Sequence, residues 1–137
     1  MNNWKIFCLS IYNKNNKFFR ELNYTPVGLG KIDYDKDWIL DKSEVNISHK
    51  NCYYGEYTFH YWIWKNYLEN LKKQKWIGFS TYRRFWTTKD CSNSSIEDFK
   101  KNIITKPPKD WDNAEVILVQ KFTIGKIKKS KIIKNFG

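Results

Sequence analysis

The sequence predicts an α/β domain, and three observations carry that expectation. Short apolar runs rich in β-branched and aromatic residues occur at residues 5–11, 75–81 and 115–120. A segment of helical period, Tyr54 to Lys73, leads by a short link into the second run. The length, 137 residues, is that of one domain, long enough to bury a core without disulfide or metal staples. A strand, a helix and a strand in succession imply parallel neighbours in one sheet.

The elements follow in order. Lys5 to Ile11 reads as a buried strand, and the polar run Tyr12 to Lys17 as the loop after it. Tyr24-Thr-Pro-Val-Gly-Leu-Gly30 holds one proline and two glycines, which predicts an extended piece ending in a turn. Lys31 to Lys50 is charged without a clear period and reads as a long surface loop. In the helix, Tyr57, Tyr61, Trp64, Leu68 and Leu71 fall at i, i+4, i+7, i+11 and i+14, a spacing that predicts the buried face. Phe59, Trp62 and Ile63 lie off that face, so its first half is expected to be buried all round. Asn51 or Ser48 is the expected N-cap, and Lys72, Lys73 and Lys75 complement the dipole at the far end.

Trp76 to Thr81 forms the body of the second strand, and Tyr82-Arg-Arg-Phe-Trp86 sits just beyond it. Ser94 and Ser95 with Asp98 form a capping arrangement for a helix over Ile96 to Ile104, ended by Pro107-Pro108. Glu115 to Gln120 is the third expected buried strand, followed by alternating Ile and Lys from Ile124 to Ile133.

Charge narrows the function classes. The 25 Lys and Arg against 14 Asp and Glu give a net charge of +11. Residues 1–115 carry 19 basic residues against all 14 acidic ones, a net of +5, while the last 22 residues hold six Lys and no acid. Twenty-two of the basic residues are Lys in a chain rich in Asn, Ile, Tyr and Phe with a single Ala, the signature of A/T-rich codons. The basicity is therefore weak grounds for nucleic acid as a partner. No apolar run approaches the roughly 18 residues of a membrane span, and the opening Met1-Asn-Asn-Trp-Lys5 is no secretory leader. A cytoplasmic location is expected. Cys8, Cys52 and Cys91, odd in number and widely spaced, suit reduced thiols.

Among candidate functional groups Arg83 and Arg84 lead. They are two of only three arginines, they are adjacent, and they lie at the presumed carboxyl end of a strand. Ligands of open α/β sheets bind at such ends, and the planar guanidinium holds phosphate bidentately. An ordinary surface pair is the competing explanation. Tyr82, Phe85 and Trp86 could stack on a base or sugar, although core packing is the commoner fate of such residues. Asn46-Ile-Ser-His-Lys-Asn51 before the helix offers amides and a lysine to an anion or a sugar hydroxyl, against a capping role that its spacing favours. Glu56 and His60, one turn apart, have the spacing of an acid–base pair or of a packed helix. Asp33, Asp35 and Asp37 alternate, but the glycine and terminal glutamate of a calcium loop are missing.

Taken together, two blocks resemble a bacterial polysaccharide glycosyltransferase family long catalogued as a domain of unknown function. Its members often carry the description exopolysaccharide or capsular polysaccharide biosynthesis protein. The blocks are Asn46-Ile-Ser-His-Lys-Asn-Cys-Tyr-Tyr-Gly-Glu-Tyr-Thr-Phe-His-Tyr-Trp-Ile-Trp-Lys-Asn66 and Trp76-Ile-Gly-Phe-Ser-Thr-Tyr-Arg-Arg-Phe-Trp86. Tyr24 to Gly30 resembles its upstream segment, and the match extends over most of residues 4–120. The resemblance implies a GT-A-like fold whose Rossmann-type half binds a nucleotide sugar and transfers the glycosyl group to a saccharide or lipid-linked saccharide acceptor. It implies work at the inner face of the membrane, with peripheral association as one option. It places Tyr12 beside the nucleotide, and Lys42, Asn46, Tyr61, Lys65 and Tyr82 with Arg83 and Arg84 around the donor. Where such enzymes carry an Asp-x-Asp metal motif, this chain has Tyr82-Arg83-Arg84. Arg83, with Arg84 or Lys65, would take the metal's role, so no metal and no cofactor beyond the donor is expected.

The same resemblance implies an acceptor half beyond the third strand. It makes 1–137 a partial domain with 121–137 as the start of that half, and it leaves the catalytic base unassigned. Two other readings stay open: a basic, aromatic module for RNA or single-stranded nucleic acid, and an inactive remnant of the fold.

Overall fold

The computed structural model describes residues 3–119. Four strands form one parallel sheet in the order β3-β2-β1-β4. They are β1 (Trp4–Ser10), β2 (Tyr24–Gly28), β3 (Ile39–Leu40) and β4 (Trp76–Thr81). In the central pairings Phe7 lies opposite Thr25 on one side and Phe79 on the other. The mixed α/β class and the parallel sheet are therefore as the sequence predicts, and they are compatible with a Rossmann-like arrangement.

β1 reads as an unbroken apolar run because it is covered on both faces. Side chains alternate along a strand, so Phe7 and Leu9 join a core with Val27, Leu29, Phe59, Trp62, Ile63 and Leu71. Ile6 and Cys8 point the other way, toward Phe19, Leu22, Tyr24, Trp38 and Ile103. Phe7 is the centre of the first layer, edge-on to Phe59 at 5.3 Å and stacked on Phe79 at 5.8 Å. Helix α1 (Asn16–Glu21), which overlaps the end of the expected loop at 12–17, delivers Phe19 to the second layer.

The long predicted helix is divided into α2 (Asn51–Tyr54), α3 (Tyr57–Trp62), a π-helical stretch over Ile63–Tyr67, and α4 (Leu68–Leu71). Gly55, at φ 53°, makes the break between α2 and α3 in a conformation that L side chains rarely adopt. The expected buried face is overturned. Tyr57, Trp64 and Leu68 are exposed, at 72%, 59% and 46%, and of the predicted stripe Leu71 alone is fully buried. Phe59, Trp62 and Ile63 turn inward instead.

Two causes explain the reversal. Aromatic residues line both sides of this segment, so the apolar period does not choose between them. The inward positions Phe59, Ile63, Tyr67 and Leu71 are also four residues apart. At 3.6 residues per turn that spacing drifts by about 40° per step, and the wider π turn takes up the drift. The π stretch thereby moves Leu71 onto the inner face.

The expected N-caps are also corrected. Neither Asn51 nor Ser48 caps a helix; Asn51 Nδ2 donates to the Gly55 carbonyl and to Thr58 Oγ1, while the Ser48 hydroxyl donates to Asn46 Oδ1. Within 31–50, Trp38 and Asp41 are buried and Ile39–Leu40 pair with β2, so this segment is not a surface loop throughout.

Helix α5 (Ile96–Asn102) has the predicted cap, Ser95 Oγ accepting from the Asp98 amide at 3.1 Å. It ends at Asn102, short of Ile104, because Ile103 turns extended into the core; Pro107-Pro108 do not end it. No strand forms over 115–119, where Val116, Leu118 and Val119 are exposed and hydrogen-bond to no strand. An apolar run needs a free strand edge in register, and its composition does not supply one. Gln120 and the basic segment 121–137, with its Ile–Lys alternation, lie outside the described residues.

The three cysteines are free; burial pushes the Cys8 thiol up to about 11, whereas Cys52 is exposed. Among the described residues no helix is long and apolar enough to cross a membrane.

The corrected helix face has a direct test. Phe59→Ala should cost about 3–5 kcal/mol of unfolding free energy, as large aromatic truncations in packed cores do. Trp64→Ala should stay within about 0.5 kcal/mol. Urea denaturation of the two variants decides the matter, and the reverse ranking would restore the predicted face.

Candidate functional site

The chain runs from β1 outward to β2 and β3, then returns to add β4 on the other side of β1. The direction of winding therefore reverses between β1 and β4, and at such a reversal the loops leaving the carboxyl ends part to leave a crevice. Two adjoining clefts occupy this position. The first, about 370 Å³, lies among Ile11, Leu29, Asn51, Tyr57, Tyr82 and Arg83. The second, about 560 Å³, lies among His60, Ser80, Arg84, Trp86, Asp90 and Trp111. Leu9 and Glu56 line both.

The sequence Tyr82-Arg83-Arg84-Phe85-Trp86 builds the ridge between them. Thr81 and Arg84 exchange backbone hydrogen bonds at 3.1 and 3.0 Å, closing a tight turn with Tyr82 and Arg83 at its tip. The Tyr82 amide donates to the Leu9 carbonyl at 2.9 Å, fastening the turn to the end of β1. Phe85 enters the core against Phe18, Tyr24 and Phe99, and Trp86 Nε1 donates to the Phe79 carbonyl at 2.8 Å. With the aromatic residues anchored, both arginines are left exposed. Among the described residues neither forms an ion pair with a carboxylate. The Arg83 guanidinium lies 5.1 Å from the Tyr82 ring centroid.

Tyr12 comes to the same place from β1. The buried Ser10 hydroxyl donates to the Tyr12 carbonyl and accepts from its amide, and the Tyr12 ring meets Tyr82 edge-on at 5.2 Å. Tyr12, Tyr82, Arg83 and Arg84 are thus assembled at one edge, with the two arginines facing different clefts. The other sequence-predicted residues lie elsewhere. Lys42 Nζ donates to the Ile32 carbonyl, and its charge meets Asp33 at 3.4 Å. Asn46 is committed to its own loop, donating to the Lys42 and Glu44 carbonyls and accepting from Ser48. Tyr61 and Lys65 lie on the outer part of the helical segment, with Lys65 Nζ 3.7 Å from the Trp64 ring centroid. None of these four lines either cleft, and Tyr12 does not line one either, reaching the rim only through its contact with Tyr82.

The acidic loop and the Glu56–His60 pair also resolve. Asp35 accepts from Asn13, Asp37 from Asn16 and Arg20, and Asp33 meets Lys42. The three carboxylates thus serve three different partners. His60 Nδ1 bonds the Glu56 backbone carbonyl at 3.1 Å, not its carboxylate, and the imidazole packs on Phe79 at 4.4 Å.

Asp41 is a residue that sequence reasoning missed. It is fully buried just past β3, accepting from Thr58 Oγ1 at 2.5 Å and from the Gly30 amide at 3.0 Å. Thr58 in turn accepts from Asn51 Nδ2 at 3.1 Å. One carboxylate therefore ties the end of β2 to the start of α3 and to Asn51, on the wall of the smaller cleft. Opposite it, the Tyr34 hydroxyl bonds the Ser10 and Leu29 carbonyls. The Tyr34 ring packs so close to Gly28 that a Cβ there would lie 2.5 Å from it. The available signal was the apolar triplet Trp38-Ile39-Leu40 directly before Asp41, within a run otherwise dominated by charge.

The chain belongs to the family described as Domain of unknown function (DUF4422), whose model matches residues 7–135. Comparison with curated proteins and with solved structures gives no match.

Burial raises the Asp41 carboxyl above its ordinary value, against the lowering effect of its Thr58 and Gly30 hydrogen bonds. A group whose folded pKa is raised binds more protons folded than unfolded, so this contribution to stability falls as pH rises. Unfolding free energy should therefore decline through the interval above the ordinary aspartate value, and Asp41→Asn should remove that part of the slope. Denaturant titrations from pH 4 to pH 7 measure both, and an unchanged slope in the variant counts against the assignment.

Proposed function

We propose that the chain is the nucleotide-sugar-binding part of a GT-A-like glycosyltransferase of bacterial polysaccharide synthesis. It would move a sugar from a nucleoside diphosphate to a saccharide or lipid-linked saccharide at the cytoplasmic face of the membrane. The observation that carries the reading is the position of Arg83, at the tip of a clamped turn on the rim of a cleft above the β1–β4 reversal. The family match spans both blocks without naming a reaction.

The chemistry asked of this edge is electrostatic. When the bond from the anomeric carbon to the diphosphate breaks, negative charge grows on the leaving oxygen. A guanidinium held on an anchored turn meets that charge with little reorganisation and offers two parallel N–H donors to phosphate oxygens. Tyr12 and Tyr82 supply apolar faces beside it, suited to a base or ribose. Lys65 lies outside the two clefts, so the reading rests on Arg83, with Arg84 serving the neighbouring cleft.

The nucleic-acid reading draws on a separate observation, the exposed rings of Tyr53, Tyr54, Tyr57 and Trp64 with Lys65 against the last.

One set of measurements separates the two. UDP or GDP at about a hundred times its Kd should stabilise the full chain by about 2.7 kcal/mol, a rise in Tm of roughly 5–10 °C. Arg83→Ala should abolish the shift, and Arg83→Lys, which keeps the charge without the fork, should weaken binding about tenfold. No protection by any nucleoside diphosphate would sink the glycosyltransferase reading. Tight binding of single-stranded oligonucleotides that falls steeply with salt and ignores Arg83 would favour the other.

A further inference from the structure

We infer, resting on the reading of the smaller cleft as a nucleotide site, that Asn51 reads the base bound there. The cleft then takes bases that carry a ring N–H, uracil, thymine and guanine, in preference to cytosine.

The smaller cleft crosses the end of the sheet. Its walls carry Leu29 just past β2, Leu9 and Ile11 at the end of β1, and Arg83 past β4. Neighbouring strands lie about 5 Å apart, so Leu29 and Arg83 are separated by roughly two spacings, about 10 Å. Asn51 stands on the β2 side, where a Cβ built on Gly30 would lie 3.5 Å from its Oδ1. A ligand held at Arg83 by its phosphates and lying along the cleft brings its other end to Asn51.

The orientation of the Asn51 amide is settled by its partners. Nδ2 lies 2.8 Å from the Gly55 carbonyl and 3.1 Å from Thr58 Oγ1. A carbonyl can only accept. The single Thr58 proton is claimed by the Asp41 carboxylate and the Gly55 carbonyl, so toward Asn51 the hydroxyl accepts as well. Both neighbours demand N–H groups, which places the amide nitrogen on their side and leaves Oδ1 on the other. Thr58 and Asp41 are fully buried, so the amide is held from behind by the core. Among the described residues Oδ1 takes no hydrogen bond, and Asn51 lines the cleft. The side chain therefore offers the cleft an acceptor, its donors being already spent.

An acceptor fixed in this way selects a donor. Uracil and thymine carry one at N3 and guanine at N1, whereas cytosine has a lone pair where uracil has N3–H. Lone pair against lone pair leaves both groups without a hydrogen bond, beside the apolar walls of Leu9, Ile11 and Leu29. A site built to bond an N–H rejects the analogue lacking it more strongly than an apolar pocket rejects a change of size.

The full chain is titrated by calorimetry with UDP, CDP, N3-methyl-UDP and inorganic pyrophosphate. UDP should bind at least tenfold more tightly than CDP, and N3-methyl-UDP no better than CDP. Asn51→Ala should bring UDP down to the affinity of CDP and leave CDP and pyrophosphate within twofold. Because Asn51 also ties Gly55 to Thr58, the N3-methyl comparison, made on the unaltered chain, tests the same contact without a substitution. Equal binding of UDP and CDP, or of UDP and N3-methyl-UDP, overturns the base reading and spares the nucleotide site. A UDP preference that survives Asn51→Ala overturns the role of Asn51. Absence of binding by every nucleotide overturns the donor reading itself.

Discussion

The parallel pairing of β1 with β4 is the constraint on which the rest of the structure depends. β1 has strands on both sides and apolar layers on both faces, so it fixes the position of every other element. β4 reaches its place only by a crossover through the helical segment, which carries the chain from one side of β1 to the other. That return reverses the winding and opens the crevice at the carboxyl ends. The Tyr82 amide bonded to the Leu9 carbonyl continues the pairing past the last residue of β4, so the arginine turn is an extension of the sheet.

The two sides of the crevice are held differently. On one side, aromatic anchoring does the work: Phe85 in the core and Trp86 on a strand carbonyl hold a turn whose tip is cationic. On the other, a buried polar network does it, with Asp41, Thr58, Asn51 and the Gly30 amide linked by hydrogen bonds. The second arrangement is the more sensitive to substitution, because removing one partner leaves a buried polar group unmet. Both hold the rim of the crevice in place through contacts within the chain itself.

Legibility in the sequence followed the physics of each element. β1 was readable because a strand buried on both faces is a continuous apolar run; β4 forms where its apolar run predicts, but as an edge strand with Ile77 exposed and Ser80 alone buried, so its composition overstates its burial. The Ser95 cap was readable because capping is local chemistry. The inner face of the helical segment was not readable: Tyr57, Tyr61 and Trp64 are as apolar in composition as Phe59, Trp62 and Ile63, and the π stretch changes the phase partway along. Residues 115–119 look like a strand by composition, yet pairing is a property of partners and register, not of side chains alone. Tyr82, Arg83 and Arg84 could be located from their place after a strand, and Tyr12 from the family resemblance. Asp41 could not, because the apolar triplet Trp38-Ile39-Leu40 before it marks a buried stretch without saying that the carboxylate next to it is buried too.

The sequence by itself determined the parallel α/β class, the strand that bears the arginines and the family match over residues 7–135. Each is written in short-range patterns of polarity, turn residues and spacing. Only the tertiary structure decided that Arg83 and Arg84 face different clefts, that Lys42, Asn46, Tyr61 and Lys65 lie away from both, and that Glu56 stands between them. Those outcomes depend on where the chain crosses the sheet and on which of two equally apolar helix faces meets it. Both are set by contacts between segments far apart in the chain, which local spacing does not record.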